Sequence, residues 1–352
     1  MDRLFLPTEG VDASLRGFAR AHAGLVELHE DPTYLLARER HPDRRVGIVS
    51  GGGSGHEPMH AGFLGRGLLD AAVPGRVFAS PHNRQVYEAG KAVAGPDGVL
   101  LVVKNYTGDR INFGIAAERL RADGVEVRRV LVDDDVATES EETGTGRRGT
   151  GATPVVEKLL GAAADSGLGL DELAHLGERV VAASRSLAVA SRAQTRPADG
   201  GPAFELPDGE LEYGVGIHGE RAQRTVSYEG LEHLVPRMVS DVLDSLERAE
   251  ATGDDVLLLT NGMGATTLLE LYTVHDAAAG ALEERGLRVA AQAVGTLVPG
   301  LDMAGFSLTV TRLRDDWLDL WRAPAVTPAF PAPTDIPAGT PTGSPAPVEA
   351  TR

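Results

Sequence analysis

The 352 residues include no cysteine, which excludes disulfides, thiolate metal sites and thiol nucleophiles. A reducing, cytoplasmic compartment is the simplest home for such a chain. Also missing is any apolar run long enough to cross a bilayer, and residues 1–10 lack the sustained apolar core of a signal peptide. Lysine is nearly absent: only Lys91, Lys104 and Lys158 occur, and arginine fills the other basic positions. Codon usage rich in Arg, Ala and Gly accounts for Lys91 and Lys158. Lys104 stays open to a role that a compact ammonium fills and arginine cannot. Positive charge as a whole is short, with 51 Asp plus Glu against 34 Lys plus Arg, a formal charge of −17. That balance argues against nucleic acid and anionic membranes as partners and favours a neutral small substrate or another protein.

With 42% apolar residues the chain can bury two ordinary cores. Strand-length apolar runs alternate with helix-period segments, the pattern of an α/β protein. Strands are expected at 46–50, 99–103, 125–132, 211–218, 256–259, 287–294 and 306–311. Helices are expected at 59–69, from 109 to about 121, at 155–164 and at 231–251. The pattern weakens after residue 183 through Ser184-Arg185-Ser186 and a Pro/Gly-rich stretch at 196–202. This places an N-terminal α/β domain at 1–185 and a C-terminal α/β domain at 186–328, each a mixed or parallel sheet flanked by helices. From residue 323 the chain is Pro, Ala, Thr and Gly, so 329–352 reads as a disordered tail.

Three constellations carry chemistry. The tract Gly51-Gly52-Gly53-Ser54-Gly55-His56-Glu57-Pro58-Met59-His60 follows a strand, and its glycines let backbone approach a ligand closely. It fails as a phosphate loop, because neither lysine nor Ser/Thr follows its last glycine. It also matches the H-E-x-x-H zinc pattern, but Pro58 belongs in a helix's first turn, which leaves His56 in the loop before it. No metal site is therefore expected. The second constellation, Lys104-Asn105-Tyr106-Thr107-Gly108-Asp109, also follows a strand, and ligands in such sheets bind where strand ends converge. Asp109 reads equally as a general base and as a helix N-cap. In the third, residues 210–220, a strand would put His218 on a face cleared by Gly214 and Gly216. A packed, hydrogen-bonded histidine is the competing reading. Asn261-Gly262-Met263-Gly264 reads as a packing turn.

These motifs, with Arg147-Arg148-Gly149 and Leu301-Asp302-Met303-Ala304-Gly305-Phe306-Ser307, closely resemble the K subunit or K domain of dihydroxyacetone kinases, in order from about residue 10 to 328. The resemblance implies that His218 captures dihydroxyacetone as a hemiaminal. Asp109 would act as base toward the terminal hydroxyl, and His56 would hydrogen-bond the substrate and assist proton transfer. Gly53, Ser54, Gly55 and Lys104 would hold the hydroxyls. The resemblance also implies a homodimer with no cofactor of its own and a separate L subunit. That subunit would carry either ATP with magnesium or a bound ADP recharged by a phosphotransferase-system phosphocarrier. A single-chain kinase would continue past residue 330 into a helical nucleotide domain, so a stand-alone subunit is expected. A dihydroxyacetone-sensing regulator, or a kinase subunit for a short ketose such as erythrulose, is the alternative. Residues 296–300, Arg221-Ala222 and 190–202 depart from the family pattern without removing a catalytic group.

Overall fold

A computed structural model describes residues 4–6, 10–139, 146–221 and 224–330. Two six-stranded mixed sheets form its frame. The first contains β1 (Val26–Glu30), β2 (Thr33–Ala37), β3 (Val46–Ser54), β4 (Ala71–Val77), β5 (Gly98–Lys104) and β6 (Val127–Val132), in the order β1-β2-β4-β3-β5-β6. Its β4, β3, β5 and β6 run parallel, while β1 and β2 form an antiparallel edge. The second sheet contains β7 (Ser184–Arg192), β8 (Glu210–Tyr213), β9 (Thr225–Ser227), β10 (Asp255–Gly262), β11 (Arg288–Gly295) and β12 (Ala304–Arg312), in the order β11-β10-β12-β7-β8-β9. Only the β10–β11 pair is parallel there.

The helices are α1 (Gly10–Ala21), α2 (Asn83–Val93), α3 (Thr107–Ala122), α4 (Thr153–Asp165), α5 (Leu170–Ala182), α6 (Leu231–Arg248), α7 (Leu268–Glu283) and α8 (Trp317–Arg322). Helices α2 and α3 share a core with one face of the first sheet, and α6 and α7 share another with the second. The largest core lies between the sheets and is filled by α4 and α5. Every residue of α4 from Thr153 to Ala164 is buried, so this helix is surrounded on all sides. Its two charged residues, Glu157 and Lys158, are buried with it and must find partners within the protein.

Several sequence expectations need correction. No helix occupies 59–69: a single 3-10 turn, Ala61–Phe63, stands there. Gly65 and Gly67, with φ of 140° and 81°, take backbone conformations that a helix cannot contain. The polar stretch 184–186 opens β7, whose hydroxyls pair inside the sheet, Ser184 with Thr311 at 2.8 Å and Ser186 with Thr309 at 2.7 Å. The strand expected at 211–218 ends at Tyr213, because Gly214 turns the chain at φ 93°. Within the stretch read as tail, Phe330 is buried against Phe63 and Trp321, at 5.4 and 5.6 Å between rings. The rest of that segment, 331–352, lies outside the described residues. No helix among the described residues is long and apolar enough to cross a membrane.

Candidate functional site

Parallel strands β3 and β5 end side by side, which brings the glycine tract against Lys104, the last residue of β5. Gly52 makes that approach possible, since a Cβ there would run into Lys104 Nζ and lie 3.6 Å from Asp109 Oδ2. The Lys104 ammonium is fully buried. It donates to Gly51 O at 3.0 Å, lies 2.8 Å from His60 Nε2 and stands 3.9 Å from Asp109 Oδ2. Burial pushes its pKa down, while Asp109 and Glu157 push it back up.

Asp109 is not the N-cap that one reading of the sequence expects. Tyr106 occupies the cap position, Thr107 is the first helical residue, and Asp109 sits in the first turn of α3, where a negative charge is favoured. Its Oδ1 is buried without a partner among the described residues. Such an oxygen is costly unless something arrives to bond it.

His56 lies in the loop after β3, and its Nδ1 is 2.7 Å from Pro299 O. A carbonyl can only accept, so Nδ1 carries the hydrogen and Nε2 presents a lone pair. That Nε2 is buried and unpartnered among the described residues. Burial first, then His218 and Lys104, pushes the His56 pKa well below the usual imidazole value, so the ring is neutral at pH 7.

His218 comes from the second sheet's side, on a tight turn closed by Gly219 N to Gly216 O at 3.0 Å and Gly216 N to Glu220 O at 2.8 Å. The turn, not the expected strand, presents this histidine. Its ring centroid lies 4.7 Å from Tyr106, 4.9 Å from His56 and 5.3 Å from Phe78. Glu220 accepts from the His218 backbone N–H at 2.9 Å and lies 2.7 Å from Nδ1. Burial acts against the Glu220 carboxylate, but His218 and Arg148 outweigh it and hold its pKa at about 2. A carboxylate accepts and never donates, so in its neutral form His218 keeps its hydrogen on Nδ1 and leaves a nucleophilic lone pair on Nε2.

Arg148 anchors this turn from the first half of the chain. Its guanidinium donates to Gly214 O at 2.8 Å and Glu220 O at 3.3 Å, and pairs with buried Asp135 at 2.6 Å. A Cβ on Gly216 would strike Glu220 Oε2 and lie 2.6 Å from Arg148 Nη1. Burial raises the Asp135 carboxyl to about 6 in spite of Arg148. On the other side, Leu301 N donates to Gly55 O at 2.9 Å. Asn261 Oδ1 accepts from Leu297 and Val298 N–H at 2.8 and 2.9 Å, which fixes the 296–300 stretch that supplies the Pro299 carbonyl. The 261–264 turn thus packs the loop that orients His56.

The structure therefore brings His56, Lys104, Asp109 and His218 together with the glycine tract. Ser54 spends its hydroxyl on Gly75 O at 2.7 Å, and Gly55 N is bonded to Glu57 Oε2 at 2.9 Å, so Ser54 and Gly55 shape the loop. Tyr106, Phe78, Arg148 and Glu220 receive no role from the sequence. Glu220 has one legible signal, its place two residues after His218, whereas Phe78 has none. No group of His, Cys, Asp and Glu fit to hold a metal occurs among the described residues. The two histidines of the zinc pattern face different partners, His56 toward Pro299 and His60 toward Glu157. A cavity of about 410 Å³ beneath α1 touches the same glycines but none of His56, Asp109 and His218.

The chain as a whole is similar to proteins of known family. The family model described as the Dak1 domain matches residues 16–329. The PTS-dependent dihydroxyacetone kinase 1, dihydroxyacetone-binding subunit DhaK, of Listeria innocua is 43% identical over 321 residues, covering 91% of this chain and 97% of its own. The PEP-dependent dihydroxyacetone kinase, dihydroxyacetone-binding subunit DhaK, of Escherichia coli is 40% identical over 342 residues, covering 91% and 96%. Among solved structures, the dihydroxyacetone kinase of C. freundii has a TM-score of 0.86 at 31% identity, covering 100% of this chain and 64% of that one. The dihydroxyacetone kinase operon co-activator Dha-DhaQ has a TM-score of 0.83 at 32% identity, covering 89% and 96%. The resemblance read from the sequence motifs holds across the chain, which belongs to the Dak1 family.

Proposed function

We propose that this chain is the dihydroxyacetone-binding subunit of a dihydroxyacetone kinase. It captures the ketone covalently on His218 and presents a terminal hydroxyl for phosphorylation. The observation that carries this reading is the pair of buried acceptors without a partner among the described residues, His56 Nε2 and Asp109 Oδ1, in one site with a histidine whose tautomer leaves Nε2 nucleophilic. Two acceptors match the two O–H donors of a dihydroxyketone. A carbonyl between them matches the nucleophile.

Capture forms the Nε2–C2 bond and breaks the C=O π bond. The carbonyl oxygen takes up a proton, and the ring, positive once alkylated, gives up its Nδ1 proton, so ring and adduct end neutral. The Glu220 carboxylate stabilises the ring while it is charged. Glycerol, which has no carbonyl, is rejected by this chemistry. Asp109 accepts the proton of the terminal hydroxyl as that oxygen attacks a phosphoryl group, and Lys104 holds charge beside it. His56, neutral and fixed by Pro299, accepts a hydrogen bond from a substrate hydroxyl. The nucleotide belongs to a separate L subunit. The names of the Listeria and E. coli relatives support a donor chain fed by phosphoenolpyruvate rather than free ATP.

Reconstitution with candidate L subunits tests this, with ATP and a phosphoenolpyruvate-fed chain compared as donors. Dihydroxyacetone phosphate should form with one of them. Failure with every donor while the ketone is still captured supports a second reading, a dihydroxyacetone sensor, which the similarity to the operon co-activator favours. Asp109→Asn separates the two, because capture should persist while turnover falls about 10²–10⁴-fold.

A further inference from the structure

Lys104 is held mainly from the side away from Asp109. Its Nζ is 2.8 Å from His60 Nε2 but 3.9 Å from Asp109 Oδ2, outside contact hydrogen bonding. His60 in turn places Nδ1 2.5 Å from Glu157 Oε1, on the helix buried between the two sheets. An ammonium can only donate, so His60 Nε2 must accept and Nδ1 must carry the hydrogen toward Glu157. Ser50 Oγ, 3.0 Å from the same Nδ1, donates to Val102 O at 3.0 Å and reinforces that tautomer. The order Glu157, His60, Lys104, Asp109 is fixed by donor and acceptor identity alone.

The arrangement solves a problem specific to this site. A lysine paired directly with the base would occupy the carboxylate that must take the substrate's proton. An unpaired buried lysine would instead lose its own proton. From the geometry we infer that Glu157, acting through His60, is a positioning residue for the phosphoryl-transfer step: it keeps Lys104 protonated and drawn back, so that Asp109 Oδ1 stays free for the substrate hydroxyl. This inference rests on the kinase reading above. The titratable groups facing the cluster are Asp109 from α3, Glu157 from α4, and His56 and His60 from the loop after β3. Burial and then Lys104 lower the His60 pKa, which matches a neutral ring serving as the link.

Glu157→Gln is the informative change, because its amide oxygen can still accept from His60 while the charge is lost. Lys104 should then lose its proton more readily. The alkaline limb of kcat/KM should move toward neutral pH by about one unit, kcat/KM on that limb should fall by up to about tenfold at a given pH, and ketone capture on His218 should fall less than turnover does. A role confined to packing would lower activity and melting temperature without moving the limb, and that outcome overturns the inference. Should Glu157→Gln fail to fold, Lys104→Arg in the wild-type background serves instead. Arginine does not deprotonate in this range, so the alkaline limb should vanish, and its persistence overturns the inference equally. Capture without turnover in the wild-type subunit with every donor would refute the kinase reading instead, so the two failures are distinguishable.

Discussion

Replacing Arg148 by methionine keeps most of the side chain's length and removes three things at once. Asp135 loses its partner at 2.6 Å, and the carbonyls of Gly214 and Glu220 lose a charged donor. Breaking a buried pair by removing one partner costs about 3–5 kcal/mol, because the other charge stays buried. With 3% of its side chain exposed, Asp135 is such a case. Its carboxyl already stands at about 6 beside Arg148, and without Arg148 it should rise further. The folded variant would then bind a proton that the unfolded chain does not bind until about pH 4, so its stability should increase as pH falls. Relative to wild type, the deficit should be largest near pH 8 and shrink by up to about 1.4 kcal/mol per pH unit toward pH 6, where wild-type Asp135 also begins to protonate. Urea unfolding at the two pH values measures this directly. The same variant should capture dihydroxyacetone at least about tenfold more weakly, since each charged hydrogen bond lost from the His218 turn is worth roughly 1.5–3 kcal/mol. A deficit below about 1 kcal/mol, or one equal at both pH values, refutes the reasoning.

Other changes separate the roles of neighbouring residues. Gly52→Ala places a methyl group where Lys104 Nζ sits, so substrate affinity should fall about tenfold or more, with a smaller change in melting temperature. Unchanged affinity would mean that Lys104 does not serve the substrate. Lys158, whose ammonium donates to Leu320 O at 2.7 Å, is lowered to about 8 by burial. Between pH 8 and about 10.4 the unfolded chain holds that proton and the folded one does not, so wild type should gain up to about 3 kcal/mol over Lys158→Met across this window. A pH-independent difference between the two proteins would contradict it.

The site is legible in the sequence to the extent that local grammar encodes it. Strands expected to end at 50 and 103, followed at once by glycine or polar clusters, are enough to locate the tract and Asp109, although β3 runs on through the glycines to Ser54 and β5 to Lys104. For the histidine turn the local pattern misleads on geometry: alternation suggests a strand, whereas Gly214 and Gly219, both at positive φ, fold it into a turn. Apolar spacing after the tract predicts a helix, and Gly65 and Gly67 override that spacing with backbone geometry. The start of strand β7 escapes pattern reading because its first residues are polar, and their partners, Thr309 and Thr311, lie more than a hundred residues away. A comparable separation hides Glu157 from His60 and Pro299 from His56. Contacts of that range have no local signature.

The central claim is that His218 Nε2 forms a bond to the ketone carbon. Protein carrying ¹⁵N-labelled histidine, mixed with dihydroxyacetone labelled with ¹³C at C2, gives a direct readout by nuclear magnetic resonance. A tetrahedral C2 resonance split by coupling to one imidazole nitrogen is predicted, and it should be absent from His218→Ala. Saturable binding with the bound C2 still a free carbonyl, or a nitrogen-coupled tetrahedral C2 signal that survives in His218→Ala, would contradict the account.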